Sequence, residues 1–219
     1  SVTDGFGDDS FERIFDNTSL SPENYDRILS GWSRLQIASG VTFGASGLQY
    51  CDAGPFRTHL QSEFGWSIND DGQAAGCPSD LTESSAQTVD SDGAVSFTSG
   101  VRVVFNGTGG SGRVTAARFE EAPRNVDGIS ESNVSSYRLV IAAGPDLSFD
   151  NQTEIRFNVG EFRGIDDASN VTVYSRPIHG QGTFSALTTS YDSGNNEIVA
   201  NTDSFSELVF ASDTEPLPV

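Results

Sequence analysis

Two histidines, two cysteines and a scatter of acidic pairs are the side chains with which this chain could do chemistry. His59 and His179 stand far apart, and neither has a second His, Cys or carboxylate at the spacing a zinc site uses. His59 falls beside Leu60 in a helical stretch, where a half-buried packing role is expected. His179 sits in a Pro-Ile-His-Gly turn. A serine nucleophile would announce itself by a Gly-x-Ser-x-Gly elbow, and the sequence has none. Acidic pairs occur at Asp8/Asp9, Asp70/Asp71, Glu120/Glu121 and Asp166/Asp167. A glycosidase would set two carboxylates roughly 5–10 Å apart in a cleft with aromatic walls. Nothing in the sequence ties these pairs to aromatic residues, so solvated turns are expected. Calcium is the metal the sequence would suit best. Asp90-Ser-Asp92-Gly and Asn69-Asp70-Asp71-Gly gather oxygen ligands in tight turns, yet neither completes a loop that ends in Glu. Ordinary Asx turns are the plainer expectation, and no cofactor is expected. Trp32 and Trp66 are either a sugar platform or core residues, and their place in the apolar pattern favours the core.

The totals narrow the partners. A formal charge of −19 among 219 residues excludes a basic stripe for phosphate, so nucleic acid is not expected. All basic residues are arginine. No apolar run is long enough to cross a membrane. With 15 Phe, 23 Gly and 8 Pro, the composition suits many short strands and turns. Cys51 and Cys77 are read as a disulfide in an oxidising compartment, with two buried thiols as the alternative. That bridge would close a loop of about 25 residues, worth ~3 kcal/mol on the loop-entropy model. Asn17, Asn106, Asn133, Asn151 and Asn170 open N-x-S/T triplets that permit glycosylation. The chain shows neither an initiator Met nor a signal peptide, and it reads as processed at both ends.

The elements that must position these groups change character along the chain. Ser21 caps a helix with Pro22 at its first position, and Tyr25, Ile28, Leu29, Trp32 and Leu35 form one stripe. A strand at 41–43 follows Gly40. Asp52 is the expected cap of a second helix bearing Phe56, Leu60 and Phe64, which Gly65 closes. Trp66-Ser67-Ile68 reads as a strand, and 69–72 as a turn. After a polar stretch, alternation of period two recurs at 94–98, 101–105, 113–119, 136–142, 154–159, 171–175, 184–187, 198–201 and 208–210. Asn106-Gly107 with Gly109-Gly110, and the 194–196 cluster, are read as hairpin turns. The expected fold is an α+β N-terminal unit followed by an all-β sandwich, mostly β overall. The expected layout is an extension at 1–20, a solenoid-cap unit at 21–77, a linker at 78–85 and a sandwich at 86–219.

Helix, strand, helix, strand with two parallel strands is the unit of a solenoid. Phe15-Asp16-Asn17, Leu20-Ser21, Asn24-Tyr25-Asp26, Leu29, Gly31-Trp32, Gly40-Val41-Thr42-Phe43, Tyr50-Cys51 and Phe64-Gly65-Trp66-Ser67-Ile68 resemble the terminal repeat of BspA-like leucine-rich-repeat surface proteins. The resemblance implies a cap closing an array of repeats. Residues 155–159, 171–174, 202–210 and Leu217-Pro218-Val219 resemble β modules that precede the sorting domain of type IX secretion. That implies an extracellular or cell-surface protein whose chain ends where a sorting cleavage would leave it.

A solenoid unit cannot bury both of its stacking faces alone. Phe11, Ile14 and Phe15 are expected on the face left bare. Three arrangements would cover it: the sandwich folded back, missing repeats of a longer chain, or another copy stacked head to tail. The last makes a filament or a layer, with Phe11, Ile14, Phe15, Leu217 and Val219 as the self-association residues. The expectation is therefore a secreted, non-enzymatic structural protein whose partners are copies of itself. The alternative is an adhesin module that binds surface glycans. An enzyme would need a cleft of converging polar groups.

Overall fold

A computed structural model describes residues 11–35, 37–77, 79–123, 125–177, 182–205 and 207–217. Its contacts divide the chain into two compact units, Ser1–Ser79 and Asp80–Val219.

The first unit is α1 (Pro22–Trp32), β1 (Thr42–Ala45), α2 (Gly54–Glu63) and β2 (Ser67–Asp70). The Ser21 side chain accepts from Asn24 N–H, and Pro22 opens α1 as expected. The apolar stripe is shorter than expected: α1 ends at Trp32, and Leu35 beyond it is exposed. Asp52 does not cap α2. The N-cap is Ala53, which makes no side-chain capping bond, and the acceptor comes from α1. Asp26 Oδ1 accepts from Cys51 N–H and Ala53 N–H at 2.9 and 3.0 Å, and Oδ2 accepts from Asp52 N–H at 3.0 Å. A carboxylate borrowed from one helix thus satisfies backbone donors at the start of the next. Gly65 takes φ +65° after the C-cap Phe64 and turns the chain into β2. β2 runs on through Asn69 and Asp70, which the sequence reading had given to a turn.

β1 and β2 pair in parallel, Thr42 opposite Ser67 through Ala45 opposite Asp70. Between the helices and these strands lies an aromatic cluster. Phe43 is its hub, within 5.2–6.4 Å of Phe15, Tyr25, Trp32 and Trp66 by ring centroids. Trp66 donates its indole N–H to Ala38 O at 2.8 Å. Trp66 is thus buried in this core, and Trp32 is half-buried against it, the placement their apolar pattern favours. Cys51 and Cys77 are joined by a disulfide.

The second unit holds two antiparallel sheets packed as a sandwich. One contains β3 (Leu81–Val89), β6 (Gly112–Phe119), β8 (Arg138–Ala143), β14 (Glu207–Ser212), β10 (Thr172–Arg176) and β11 (Ser185–Ala186), neighbours in that order, with β7 (Asn133–Val134) on β14. The other is β4 (Gly93–Ser96), β5 (Val101–Phe105), β9 (Thr153–Asn158), β13 (Glu197–Thr202) and β12 (Thr189–Asp192). Alternate residues face inward, as a half-buried sheet requires. Val101, Val103, Phe105, Ile155, Phe157 and Ile198 meet Val114, Leu139, Ile141, Val173, Leu208 and Phe210 in one core.

Two sequence expectations change here, and one holds. The linker at 78–85 is largely strand, because β3 begins at Leu81. Gly107 and Gly110 do not close a hairpin: β5 and β6 lie in different sheets, so this turn carries the chain across the sandwich. Gly110 has φ +72°, and a Cβ there would strike the Asp146 carbonyl, so glycine alone fits. The 194–196 cluster does close a hairpin, between β12 and β13, with Asn196 at φ 55°.

Candidate functional site

The two edges of the small parallel sheet differ sharply. Beside β1, segment 11–17 runs as a further rung. Gly44 N–H donates to Phe11 O at 2.8 Å, Phe15 N–H to Gly44 O at 3.0 Å, and Asn17 N–H to Ser46 O at 2.8 Å. The approach is so close that a Cβ on Gly44 would run into the Glu12 carbonyl, which is why β1 carries a glycine there. Phe15 turns inward onto Phe43 and Trp32 and joins the core, so it is not part of a bare face. Phe11 and Ile14 point away and are 42% and 44% exposed.

On the β2 side a charged fork stands over the strand. Arg57 of α2 donates Nε and Nη2 to the Asp70 carboxylate at 2.9 and 3.0 Å, and Nη2 also to Ile68 O at 3.1 Å. Tyr25 Oη donates to Asp70 Oδ2 at 2.9 Å. The Asp70 side chain is 1% exposed. Burial first, and then the Asp70 charge, push the Tyr25 phenol well above its ordinary range. With Gly72 N–H as a further donor, Asp70 is saturated by protein groups and has no role left as a calcium ligand. A guanidinium bonded to an outward carbonyl is one of the devices that stop a strand edge from recruiting another strand.

The other acidic candidates are also bonded to protein groups, Asp71 and Asp92 across to other loops. Asp71 accepts from Gly47 N–H, Asp92 from Thr108 N–H, and Asp90 from the Ser91 hydroxyl. The bonds from Thr108 hold the Asp92 carboxyl below its ordinary range. Among the described residues, no three His, Cys, Asp or Glu side chains gather as a metal site. Glu120 pairs with Arg118 and Arg163, and Glu121 with Arg138. Asp167 accepts from Ser169 and starts a short 3-10 turn. His59 is fully buried, deeper than the half-buried position expected, with its ring 6.1 Å from Phe64. His179, Asp8 and Asp9 lie outside the described residues.

The outer face of the five-stranded sheet carries an arginine–carboxylate ladder. Arg102 on β5 and Arg156 on β9 are cross-strand partners. Both reach Glu197 on β13: Arg102 Nη2 contacts its two oxygens at 2.8 and 2.6 Å, and Arg156 Nη1 reaches Oε2 at 3.0 Å. Arg156 also holds Glu154 and Asp192 at 2.7 and 3.1 Å. Burial works to raise the Glu197 pKa, but the two guanidiniums outweigh it and hold the carboxyl below its ordinary range. Arg102, Arg156 and Glu197 floor an open groove of about 300 Å³ walled by Ser96, Thr98, Gly100, Asn158 and Glu161. Sequence reasoning did not single out this constellation. The signal was present, since Arg102, Glu154, Arg156 and Glu197 occupy outward positions of strands whose inward positions are apolar.

A second ionic group lies under the loop that crosses the other sheet. Arg176 and Glu207 pair at 2.7 Å with both side chains 0% exposed. The guanidinium also donates to Asn125 Oδ1 and lies 4.3 Å over the Phe184 ring. Tyr174, Phe184, Val209 and Ala211 form a small apolar cluster beside it, with Ile129 and Val134 packed on.

The C-terminal candidate needs correcting. Leu217 is 4% exposed and belongs to the sandwich core, so its side chain is spent on folding and is not offered for assembly. Val219 lies outside the described residues. Of the glycosylation candidates, Asn17 and Asn151 are exposed at turns. The amides of Asn106, Asn133 and Asn170 donate to Gln152 O, Glu215 O and the Asp167 carboxylate. Among the described residues no helix is long and apolar enough to cross a membrane. Comparison of the chain with family models, with curated proteins and with solved structures finds no match.

Proposed function

We propose that this chain is an extracellular, non-enzymatic surface protein that self-associates, with its first unit acting as the closing end of a leucine-rich-repeat-like stack. The observation that carries the reading is the asymmetry of that unit. Arg57 and Asp70 stop the β2 side, whereas the 11–17 rung presents Phe11 and Ile14 to solvent. A stack of rungs that is sealed at one end and apolar at the other grows from the apolar end. The covering partner in this reading is a second copy, joined head to tail through a surface other than its blocked β2 edge; such a heterologous contact propagates unless it closes into a ring. The disulfide supports an oxidising compartment.

Light scattering and electron microscopy of the full chain test it. Wild type is expected to form concentration-dependent polymers, and the double substitution Phe11→Asp with Ile14→Asp to disperse them while leaving the melting curve in place. A wild-type chain that stays monomeric into the millimolar range overturns the reading.

The arginine-floored groove favours a second reading, a glycan-binding adhesin module. Guanidinium forks and neighbouring hydroxyls and amides suit sugar hydroxyls. Glycan-array binding by a monomeric chain, lost on Arg102→Ala, would favour it over assembly.

A further inference from the structure

Most strand edges in this molecule are short or blocked. β4 and β12 have four residues each, β11 has two, and Arg57 stands over β2. β3 is the exception. It has nine residues and, among the described residues, ends its sheet and is paired through eight positions with β6 on one side only. Its sequence, Leu-Thr-Glu-Ser-Ser-Ala-Gln-Thr-Val, holds one charged residue and neither proline nor a basic side chain. Thr82, Glu83, Ser84, Gln87 and Thr88 are exposed, on both faces of the strand. Little side-chain burial holds such a strand in place, and from Glu83 to Thr88, past the bulge that follows Leu81, no proline, basic side chain or further bulge blocks pairing.

The direction of its backbone groups follows from the ladder. Gly144 N–H donates to Arg113 O, so Arg113 turns its backbone toward β8. Thr88 is the β3 partner of Arg113, and in an antiparallel ladder alternate residues turn their backbone groups to opposite sides. Ser84, Ala86 and Thr88 therefore direct N–H and C=O away from β6.

We propose that β3 is a pairing edge for β3 of a second copy, antiparallel about a two-fold axis at Ser85. In that register Ser84 faces Ala86 of the second copy and Glu83 faces Gln87, and the bulge between Leu81 and Glu83 ends the regular edge. The one carboxylate of the strand never meets itself; it faces the Gln87 amide, and small residues meet beside the axis. Placing the axis on Ala86 would instead set Glu83 opposite Val89, whose side chain is already in the sandwich core. The contact is isologous and closes on itself, so it makes a pair and no further growth. It does not depend on the 11–17 rung. With that rung it would link filaments side by side.

The test uses the full chain. Ala86→Pro removes an outward N–H and leaves the β6 ladder its own bonds, which an edge strand tolerates. Ser84→Lys sets two like charges near the axis without touching the core. Sedimentation over a micromolar-to-millimolar series, with amide exchange read at positions 84, 86 and 88, reports the contact. The expected result is wild-type association that slows exchange at those three amides as concentration rises. Both variants should weaken it about tenfold or more with melting unchanged. Association that persists in Phe11→Asp/Ile14→Asp and vanishes in Ala86→Pro upholds the β3 pair and refutes growth from the rung. Unprotected amides at 84, 86 and 88 in an associated wild type, or variants that associate as wild type does, overturn the β3 pair.

Discussion

The two units each take an arginine–carboxylate pair out of water, but to different depths. In the first unit Arg57 keeps 21% of its side chain exposed while Asp70 keeps 1%. In the sandwich Arg176 and Glu207 keep none. The first pair sits at a strand edge, where the guanidinium stem covers β2 and its head stays partly wet. The second lies beneath a crossing loop, with an aromatic ring on one side of the guanidinium. A half-wet pair can lose a partner and recruit solvent. A dry pair that loses one partner strands a charge. The units also differ in core size. The first relies on one aromatic cluster, a borrowed helix cap and a disulfide, whereas the sandwich spreads its stability over a core drawn from both sheets.

Both tryptophans belong to the first unit, so their fluorescence follows that unit while far-ultraviolet dichroism follows mainly the sheets of the second. The comparison predicts the following order. Glu207→Ala should cost about 3–5 kcal/mol and lower the dichroism transition, leaving tryptophan fluorescence in place. Removing the bridge by Cys51→Ser with Cys77→Ser should cost about 3 kcal/mol and act on the fluorescence transition alone. Asp70→Ala should cost less than Glu207→Ala, about 2 kcal/mol, because Arg57 can turn to solvent. If the two substitutions cost the same, depth is not what separates the pairs. Ser21→Ala, which removes the α1 cap, should cost about 1 kcal/mol.

The smallest effect is that of pH. Against burial, Arg102 and Arg156 hold Glu197 below the ordinary carboxylate range. Asp192, bonded by Asn195 and then Arg156, is held below it as well. A carboxyl with a depressed folded pKa stabilises the fold above its unfolded pKa, and the contribution fades as pH falls through the folded value. The sandwich transition should therefore move down on acidification from the unfolded carboxylate range, about pH 4, toward pH 2. Glu197→Gln should flatten that slope. An unchanged slope would show that the groove's ladder carries no linked stability.

Local pattern carried far into this fold. Val101–Phe105 is legible to the residue because apolar residues fill every inward position and Arg102 marks the outward face. Ser21-Pro22 marked the start of α1 because cap and proline act on their own backbone. What stayed hidden depends on distant partners. β3 reads as a linker because both its faces are polar and exposed, so no alternation betrays it. The α2 cap comes from Asp26, which no rule confined to neighbouring residues would choose over Asp52. Leu217 reads as a self-association residue because its burial is a property of the assembled sandwich. Arg57, Asp70 and Tyr25 meet only once β2 lies against both helices.

The bridge between Cys51 and Cys77 encloses all of α2 and β2. A peptide bond cut anywhere inside that loop would leave two fragments still covalently joined. Arg57 is the one arginine within it, and the chain has no lysine, so a trypsin-like protease has a single place to cut there. At that place the arginine is held by Asp70 and Ile68. A nick in this loop would release neither half of the chain unless a reductant acted as well.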